Sequence, residues 1–458
     1  MVNKLTCGIV RVELTHMTYA NARVLHKTLG VIRDATSYML KVIDAEKDNL
    51  KGLSSYDRMR FIEMLTHKTK ANRNPKYSDF DSLFYKLPSY IRRAVINEAA
   101  GYMKAHNTIC DKYYEERARL VGHGCHVTKM TPRLNLTPQV CPTFYKDGTL
   151  KRFGSCISIK VYVRNTWDWM DVTIPQRDLK SLQRAETHGT LKNPKLVYEF
   201  NKFYLEFPVE YAKKDYPADV AIKDQKVLGV DLGLNHGAVC SIVDASGTVC
   251  ERHFDPFKKD MDRIDHIMGL IRKMAKTSGK GQPLSSLYTK LQGLKNNYAR
   301  QLARWIVNTA ISAGAYGIVL EHLDVKRGRK GKSLAMRVHN WCTAYIRDLI
   351  KGMAFREGIR VFIINPKNTS KFAFDGSGVV TRDEHNHTLC TFANGKQYNC
   401  DLSASYNIAA RYFIRAYKKS MPETAWSQLT AKVPELVKGT EWTLHGLRLL
   451  NAALPAAA

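Results

Sequence analysis

The sequence predicts a multidomain α+β protein in which a helical segment is inserted between β-rich stretches and an α/β layer follows. Three observations carry that prediction. The chain has 458 residues, which at roughly 100–200 residues per domain gives two to four domains. Apolar residues recur at helical spacing over much of 19–120, whereas 154–175 and 195–211 are rich in β-branched and aromatic residues. From 226 to 418, short apolar strands alternate with amphipathic helices, the pattern of an α/β layer.

The elements follow in order. Residues 4–14 read as a strand. Leu25, Leu29, Ile32, Ala35 and Leu40 make one face of a helix from Tyr19 to Lys47, and 54–70 is a second helix before a polar break at 72–78. A long helix opens after Pro88, with Ser89 as its expected N-cap and Ile91, Val95, Ala99 and Tyr102 as its stripe, and runs to about Leu120. The β-rich stretches then read as hairpins. Residues 211–225 are polar and aperiodic, a domain junction. Residues 226–250 read as strand, turn, strand. A basic helical region over 259–313 breaks at 279–286. Strands at 315–323 and 359–364 flank a helix at 335–357, and another helix covers 401–418. The tail from 412 is expected to be helical and to end in a disordered ALPAAA.

Composition narrows the class. Hydrophobic residues are 44% and charged residues 25%, with only 28 Gly and 15 Pro, so a sizeable core is available and a disordered chain is excluded. Lys and Arg total 71 against 42 Asp and Glu, a formal net charge of +29. Such a field attracts polyanions, nucleic acid first and an anionic membrane second. No run of about 18 apolar residues spans a bilayer, and the N-terminus has no apolar stretch long enough for a signal peptide. The ten cysteines are scattered and read as reduced thiols of a cytosolic or nuclear protein.

Three carboxylates stand out by their surroundings. Asp231 interrupts the apolar strand VLGVDLG, Glu321 ends the apolar strand GIVLEHL, and Asp401 opens the striped helix DLSASYNIAA. A carboxylate is seldom buried unpaired, because desolvation costs several kcal/mol. Taken singly, each has an ordinary reading as a solvated or salt-bridged group, and Asp401 as an N-cap. Asp244, in VDASG, is such a case, a turn residue with no catalytic role. Jointly the three acids sit in strand, strand and helix, separated by 90 and 80 residues. Two magnesium ions about 4 Å apart need shared oxygen ligands of this kind; one activates a water and the other stabilises the leaving oxygen of a phosphodiester. The pattern in a basic protein points to a nuclease.

The loop Lys326–Lys332 has five basic residues in seven, with two glycines. It can follow a phosphate backbone, and it also looks like a nuclear localisation signal. Lys326, Arg327, Arg329 and Lys330 are therefore candidate nucleic-acid contacts. Of Trp167, Trp169, Tyr198, Phe200, Phe203 and Tyr204, most are expected in the core and one or two at a base or guide terminus.

GVDLGLNHGAV, IVLEHL and DLSASYNIAAR together resemble the three motifs of a split RuvC nuclease domain with an RNase H-like fold. They are most similar to the TnpB family of transposon-encoded RNA-guided nucleases and the related compact type V CRISPR effectors. The basic helix KNNYARQLARWIV before the glutamate strand, HNWCTAYIRDLI after the basic loop, NPKNTSK, and upstream LPSYIRRAVINEAAGYMKA extend the likeness. Good matching covers about 226–411. The resemblance implies a wedge-like β-barrel from 1–15 and 125–215, an inserted helical recognition lobe at 16–124, and a RuvC-like α/β nuclease domain at 226–411. It implies metal-binding and catalytic roles for Asp231, Glu321 and Asp401, and adds Arg300 and Arg304 to the nucleic-acid contacts. It further implies two Mg²⁺ ions, with Mn²⁺ able to substitute, a guide RNA, and double- and single-stranded target DNA. No membrane or small-molecule partner is implied. The setting is the cytoplasm of a prokaryotic or phage-infected cell, or the nucleus in a eukaryote.

The chain also departs from the family. A zinc ribbon of two CxxC pairs usually precedes the last aspartate. Here Ala373 and Gly376 stand where the first cysteines fall, and Cys390 and Cys400 have nine residues between them. His385 and His387 complete no common zinc motif with them, so a zinc-less insertion is expected at 366–400. In the last motif Ser403 and Ser405 replace Asn and Ala, while Asn407 is retained. Three other functions remain open: a nuclease-silent RNA-guided DNA-binding protein such as a repressor, a guide-independent RNase H-like resolvase or transposase, and a basic nucleic-acid-binding protein with no chemistry. The intact acids weigh against the first, and the length and helical lobe against the second.

Overall fold

The computed structural model describes residues 5–454 apart from 71, 127, 129, 213, 217, 234–236, 278–283, 323–333, 384, 385 and 387. The chain divides into two compact units, one of residues 7–211 and one of residues 212–458 with the first six residues.

The first unit runs β1 (Leu5–Glu13), α1 (Tyr19–Ala45), α2 (Ser55–Thr66), α3 (Phe80–Leu83), α4 (Ser89–Gly122), β2 (Leu150–Phe153), β3 (Cys156–Val163), β4 (Thr166–Thr173), α5 (Gln176–His188), β5 (Gly189–Leu191), β6 (Lys195–Glu199) and β7 (Lys202–Ala212). The expected N-cap of α4 moves by one residue: Pro88 caps, and Ser89 is the first helical residue. Proline suits this boundary because its fixed φ is compatible with entry and no N–H is lost. Helices α1, α2 and α4 bury Ile32, Met39, Ile62, Val95 and Ile96 against one another.

The β part forms two antiparallel sheets, β2-β3-β4 and β1-β7-β5 with β6 also on β7. They share a core of Val12, Ile157, Ile159, Val161, Leu196, Leu205 and Phe207. An isolated bridge, Thr15 to Thr173, touches the two sheets together, but no closed barrel forms among the described residues. The expected barrel is therefore corrected to two sheets over one core. Two hairpins turn through paired positive-φ residues, Arg164-Asn165 and Phe200-Asn201, the geometry that matches strand twist.

Glu46, at the end of α1, is buried and accepts from Lys76 Nζ at 2.5 Å, Tyr77 Oη at 2.7 Å and Asn49 Nδ2 at 2.7 Å. The Lys76 bond, then Tyr77 and Asn49, hold its carboxyl down at about 2. A depressed carboxyl stabilises the fold above its unfolded value, and that contribution disappears as pH falls towards the folded value. Glu46→Gln is expected to remove at most about 3 kcal/mol at neutral pH. It should also flatten the acid limb of a thermal-melt profile between about pH 4.5 and 2. An unchanged limb contradicts the assignment.

The second unit runs β8 (Lys226–Asp231), β9 (Val239–Asp244), β10 (Val249–Phe254), α6 (Lys258–Thr277), α7 (Ser285–Ser312), β11 (Gly317–Glu321), α8 (Leu334–Glu357), β12 (Arg360–Ile364), β13 (Thr381–Arg382), β14 (Leu389–Thr391), β15 (Gln397–Asn399), α9 (Cys400–Ser420), α10 (Glu423–Lys432) and α11 (Leu444–Ala453). Its main sheet has the order β10-β9-β8-β11-β12. The first three strands are antiparallel, and β8, β11 and β12 are parallel.

Strand alternation sends side chains to two different helical layers. Leu228, Val230, Ile318 and Leu320 pack with Ile267 of α6, Leu302 of α7 and Ile350 of α8. Val227, Val239, Val243 and Val319 pack with Tyr406 and Phe413 of α9 and with Leu444, Leu447 and Leu450 of α11. The result is a three-layer α/β/α unit. Residues 412–453, read from sequence as a tail, are part of this second layer. The end of ALPAAA, residues 455–458, lies outside the described residues.

Candidate active site

Asp231 and Glu321 end the adjacent central strands β8 and β11, at their C-terminal ends. The parallel register pairs Val319 with Gly229, so Glu321 and Asp231, each two residues further on, come level. By alternation both fall on the face covered by α9, because Val227 and Val319 on that face belong to the α9 layer. Asp401 lies in the first turn of α9. Its reading as an N-cap is answered directly: the cap is Asn399, whose Oδ1 accepts from the Leu402 N–H at 2.8 Å. Asp244 behaves as the turn residue it was expected to be, accepting from Ser246 Oγ at 2.6 Å and the Thr248 N–H at 2.8 Å.

Gly229 lets the helix reach the sheet. A Cβ there would lie 2.3 Å from Ser405 O and 2.9 Å from Ala409 Cβ. The buried hydroxyls of Ser405 and Ser241 meet at 2.8 Å across the same contact. At the outer end of β9, the Gly237 N–H and Tyr298 Oη both donate to Asp255 Oδ2, at 3.1 and 2.8 Å. A Cβ on Gly237 would fall 1.4 Å from that tyrosine oxygen. Asp255 thereby anchors the far end of the turn that follows Asp231.

Electrostatics report the convergence. Burial, then the charges of Glu321 and Asp401, push the Asp231 carboxyl well above its ordinary range, with Arg382 opposing. Burial also raises Glu321, while a hydrogen bond from Thr369 and the charge of Arg411 oppose it. Like carboxylates gathered in a partly buried site favour uptake of a proton or of a cation. The oxygen-only donor set suits a hard divalent ion. The three acids are not a preformed cage: among the described residues no three His, Cys, Asp or Glu stand close enough to hold an ion by themselves. Magnesium does not require one, since it keeps waters and binds through one or two carboxylates plus substrate phosphate. The acids would hold a hydrated magnesium ion, to which substrate phosphate would add.

The other expected contacts are distributed differently. Lys326, Arg327, Arg329 and Lys330 lie outside the described residues. Arg300 is exposed on α7. Arg304, one turn further along, pairs with Glu357 at 3.6 Å. Glu357 precedes β12, whose first residue Arg360 pairs with Gly317 at the start of β11, so Arg304 is held towards the strand ends opposite the acids. Trp167 and Phe203 are buried, and Phe200 is exposed. Trp169 is half-buried with the Lys151 and Lys160 ammonium groups 4.5 and 4.9 Å from its ring.

The insertion at 366–400 is a small sheet, β13-β14-β15, over a core of Ala373, Cys390, Phe392 and Cys400, with Phe374 and Tyr398 packed on it. Burial, with help from Cys400, pushes the Cys390 thiol up to about 12, and its Sγ donates to Tyr398 O at 3.4 Å. His385 and His387 lie outside the described residues. Phe374, Phe392 and Tyr398 pack together in the insertion, with ring centroids 5.0–5.8 Å apart. The purified chain is expected to carry less than one zinc, and Cys390→Ala to cost about 1–2 kcal/mol as a small cavity does. About one zinc per chain, with Cys390 and Cys400 both required for the insertion to fold, is the contrary result.

Sequence reasoning missed the acids' neighbours, namely Thr369, Arg382 and Arg411. No sequence signal marked them: it is the pairing of Glu321 with Ile364 that carries the residues just after 364 past the acid.

A family model described as the Aq_aa04 family matches residues 9–163, about a third of the chain and within its first unit. A protein of Aquifex aeolicus (strain VF5), the TnpB-like protein aq_aa05, is 24% identical over 237 residues, covering 47% of this chain and 76% of that one. The likeness is to TnpB. Among solved structures, CasPhi-2 (Cas12j) bound to crRNA and phosphorothioate DNA aligns over 89% of this chain and 91% of that one, with a TM-score of 0.49 and 10% identity. The mini-RNA-guided endonuclease CRISPR-Cas_phi3 aligns over 88% and 92%, with a TM-score of 0.48 and 14% identity. The TnpB-like match spans most of its relative's length, and the Aq_aa04 match falls where the sequence motifs were weakest. No helix among the described residues is long and apolar enough to cross a membrane.

Proposed function

We propose that this chain is an RNA-guided DNA endonuclease whose second unit holds a RuvC-like site. The observation that carries the proposal is the placement of Asp231 and Glu321 level at the ends of the adjacent central strands β8 and β11, on the face covered by α9, whose first turn bears Asp401. The strand order, with three antiparallel strands followed by two parallel additions, supports an RNase H-like unit. The net charge of +29 and the TnpB-like relative support RNA and DNA as partners.

Asp231, Glu321 and Asp401 would hold Mg²⁺, or Mn²⁺ in its place. Bound there, two divalent ions supply Lewis-acid and charge-stabilising chemistry for phosphodiester hydrolysis. The chain's own residues do the positioning. The close packing at Gly229 sets α9, and with it Asp401, against β8. Asn407 and Arg411 on α9 fix the loop beyond β12. The first unit, in the wedge and recognition roles, would hold the guide and read a short duplex motif, leaving target sequence to base pairing. Zinc is not part of this account.

The basic loop gives a test of substrate contact. Replacing Lys326, Arg327, Arg329 and Lys330 with Ala together is expected to weaken DNA binding. It should also lower the slope of log affinity against log salt by as much as about 3, since each phosphate contact contributes roughly 0.7–0.9. An unchanged slope places the loop away from DNA. Sequencing the RNA that co-purifies with the chain tests the guide: one discrete RNA species is expected, and bulk cellular RNA is the contrary result.

A further inference from the structure

We propose that Thr369 is a positioning residue for Glu321, fixing one oxygen of that carboxylate so that the other faces the metal. The inference rests on the proposed role of Glu321 as a metal ligand.

Thr369 is 4% exposed, and its Oγ1 donates to Glu321 Oε1. The same hydroxyl has a second acceptor within reach, Pro366 O at 3.0 Å. One proton serves one acceptor at a time, and a carboxylate takes it in preference to a carbonyl because a charge-assisted bond is about twice as strong. The backbone around Thr369 is held by α9, the helix that carries Asp401. Asn407 Nδ2 donates to Thr369 O at 3.0 Å and to Phe372 O at 2.9 Å. Arg411 Nη1 donates to Asn365 O at 2.7 Å and Lys367 O at 2.9 Å. The Arg411 charge favours ionised Glu321, yet its hydrogen bonds go to backbone carbonyls, the others being Trp442 O and Thr440 O. The hydroxyl of Thr369, and not the guanidinium, is thus the group that orients Glu321. One helix sets two acids, Asp401 directly and Glu321 through the loop it clamps. This gives Asn407 and Arg411 a physical role apart from metal binding.

Groups that orient a ligating carboxylate change metal affinity by about 10–100-fold when removed. The test is Mn²⁺ binding to the full chain by calorimetry, with no nucleic acid present. Thr369→Val keeps the shape and loses the hydroxyl; it is expected to weaken Mn²⁺ binding by about 10-fold or more, with the thermal midpoint little changed. Thr369→Ser restores the hydroxyl and should restore binding. Wild-type affinity in Thr369→Val overturns the proposal, as does a failure of Thr369→Ser to restore binding. If Thr369→Val does not fold, Thr369→Ala is compared with Thr369→Ser on the same measure and decides in the same way. Glu321→Gln separates the two levels of the account. If it leaves Mn²⁺ binding intact, the metal-ligand reading fails. If it abolishes binding while Thr369→Val does not alter it, only the positioning role fails.

Discussion

Asp231→Ala and Asp401→Ala are each expected to reduce DNA cleavage to the assay background while leaving guide RNA and target binding unchanged. Each removes a hard oxygen ligand without altering the basic surface that binds polyanion. The electrostatics add a second expected outcome. Burial and two neighbouring carboxylates hold the Asp231 carboxyl above its ordinary range, so the folded chain binds more protons there than the unfolded chain does. Stability without metal therefore falls as pH rises from the ordinary carboxylate range through the raised value. Asp231→Asn removes the uncompensated charge and should raise the thermal midpoint of the metal-free chain at neutral pH, by about 2–4 °C for each kcal/mol relieved. Added Mg²⁺ should raise the midpoint of the wild type and not that of the variant. Lost stability in Asp231→Asn, or substantial residual cleavage in Asp231→Ala, contradicts the site.

Gly229→Val is expected to abolish cleavage from a position that no substrate touches. A Cβ at Gly229 meets backbone, Ser405 O at 2.3 Å and Ala409 N at 3.0 Å, so no side chain can swing aside. The helix must lift, and lifting α9 moves Asp401 away from Asp231. Overpacking of this kind costs about 1–3 kcal/mol, and here the separation of the acids adds a loss of Mn²⁺ affinity. Gly229→Ala should show the same effects, smaller. Wild-type cleavage and Mn²⁺ binding in Gly229→Val would show that α9 does not depend on this contact.

The alternation of strands and helices over 226–418 was legible because each element carries its own period. Helices at Tyr19–Ala45 and Leu334–Glu357 fall within two residues of the sequence reading. Asp231 and Glu321 stood out in the sequence for a related reason: a carboxylate ending an apolar strand is conspicuous. The Gly229 contact left a trace too, since a glycine inside an apolar strand often marks a close backbone approach. What was not legible depends on contacts between distant segments. Thr369 is ordinary in sequence, and only the β11–β12 register places it beside Glu321. The tail was read as helical, and its apolar residues, Trp426, Leu429, Leu436, Leu444 and Leu447, do not reveal in sequence which sheet face they cover. Arg304 reads as a free basic residue until its pairing with Glu357 is seen. The two β sheets of the first unit had strand signals, but closure into a barrel depends on edges that composition does not encode.

The central claim is that Asp231 and Glu321 at the ends of two neighbouring strands, with Asp401 on the helix that covers them, cut DNA under the direction of a bound RNA. The most direct test incubates the chain and its co-purified RNA with a plasmid carrying sequence complementary to that RNA, in Mg²⁺ and in chelator. Cleavage at the complementary site, dependent on Mg²⁺ and absent for Asp231→Ala, is the predicted result. Site-specific binding without cleavage in Mg²⁺ or Mn²⁺, or cleavage that ignores the RNA sequence, would contradict it.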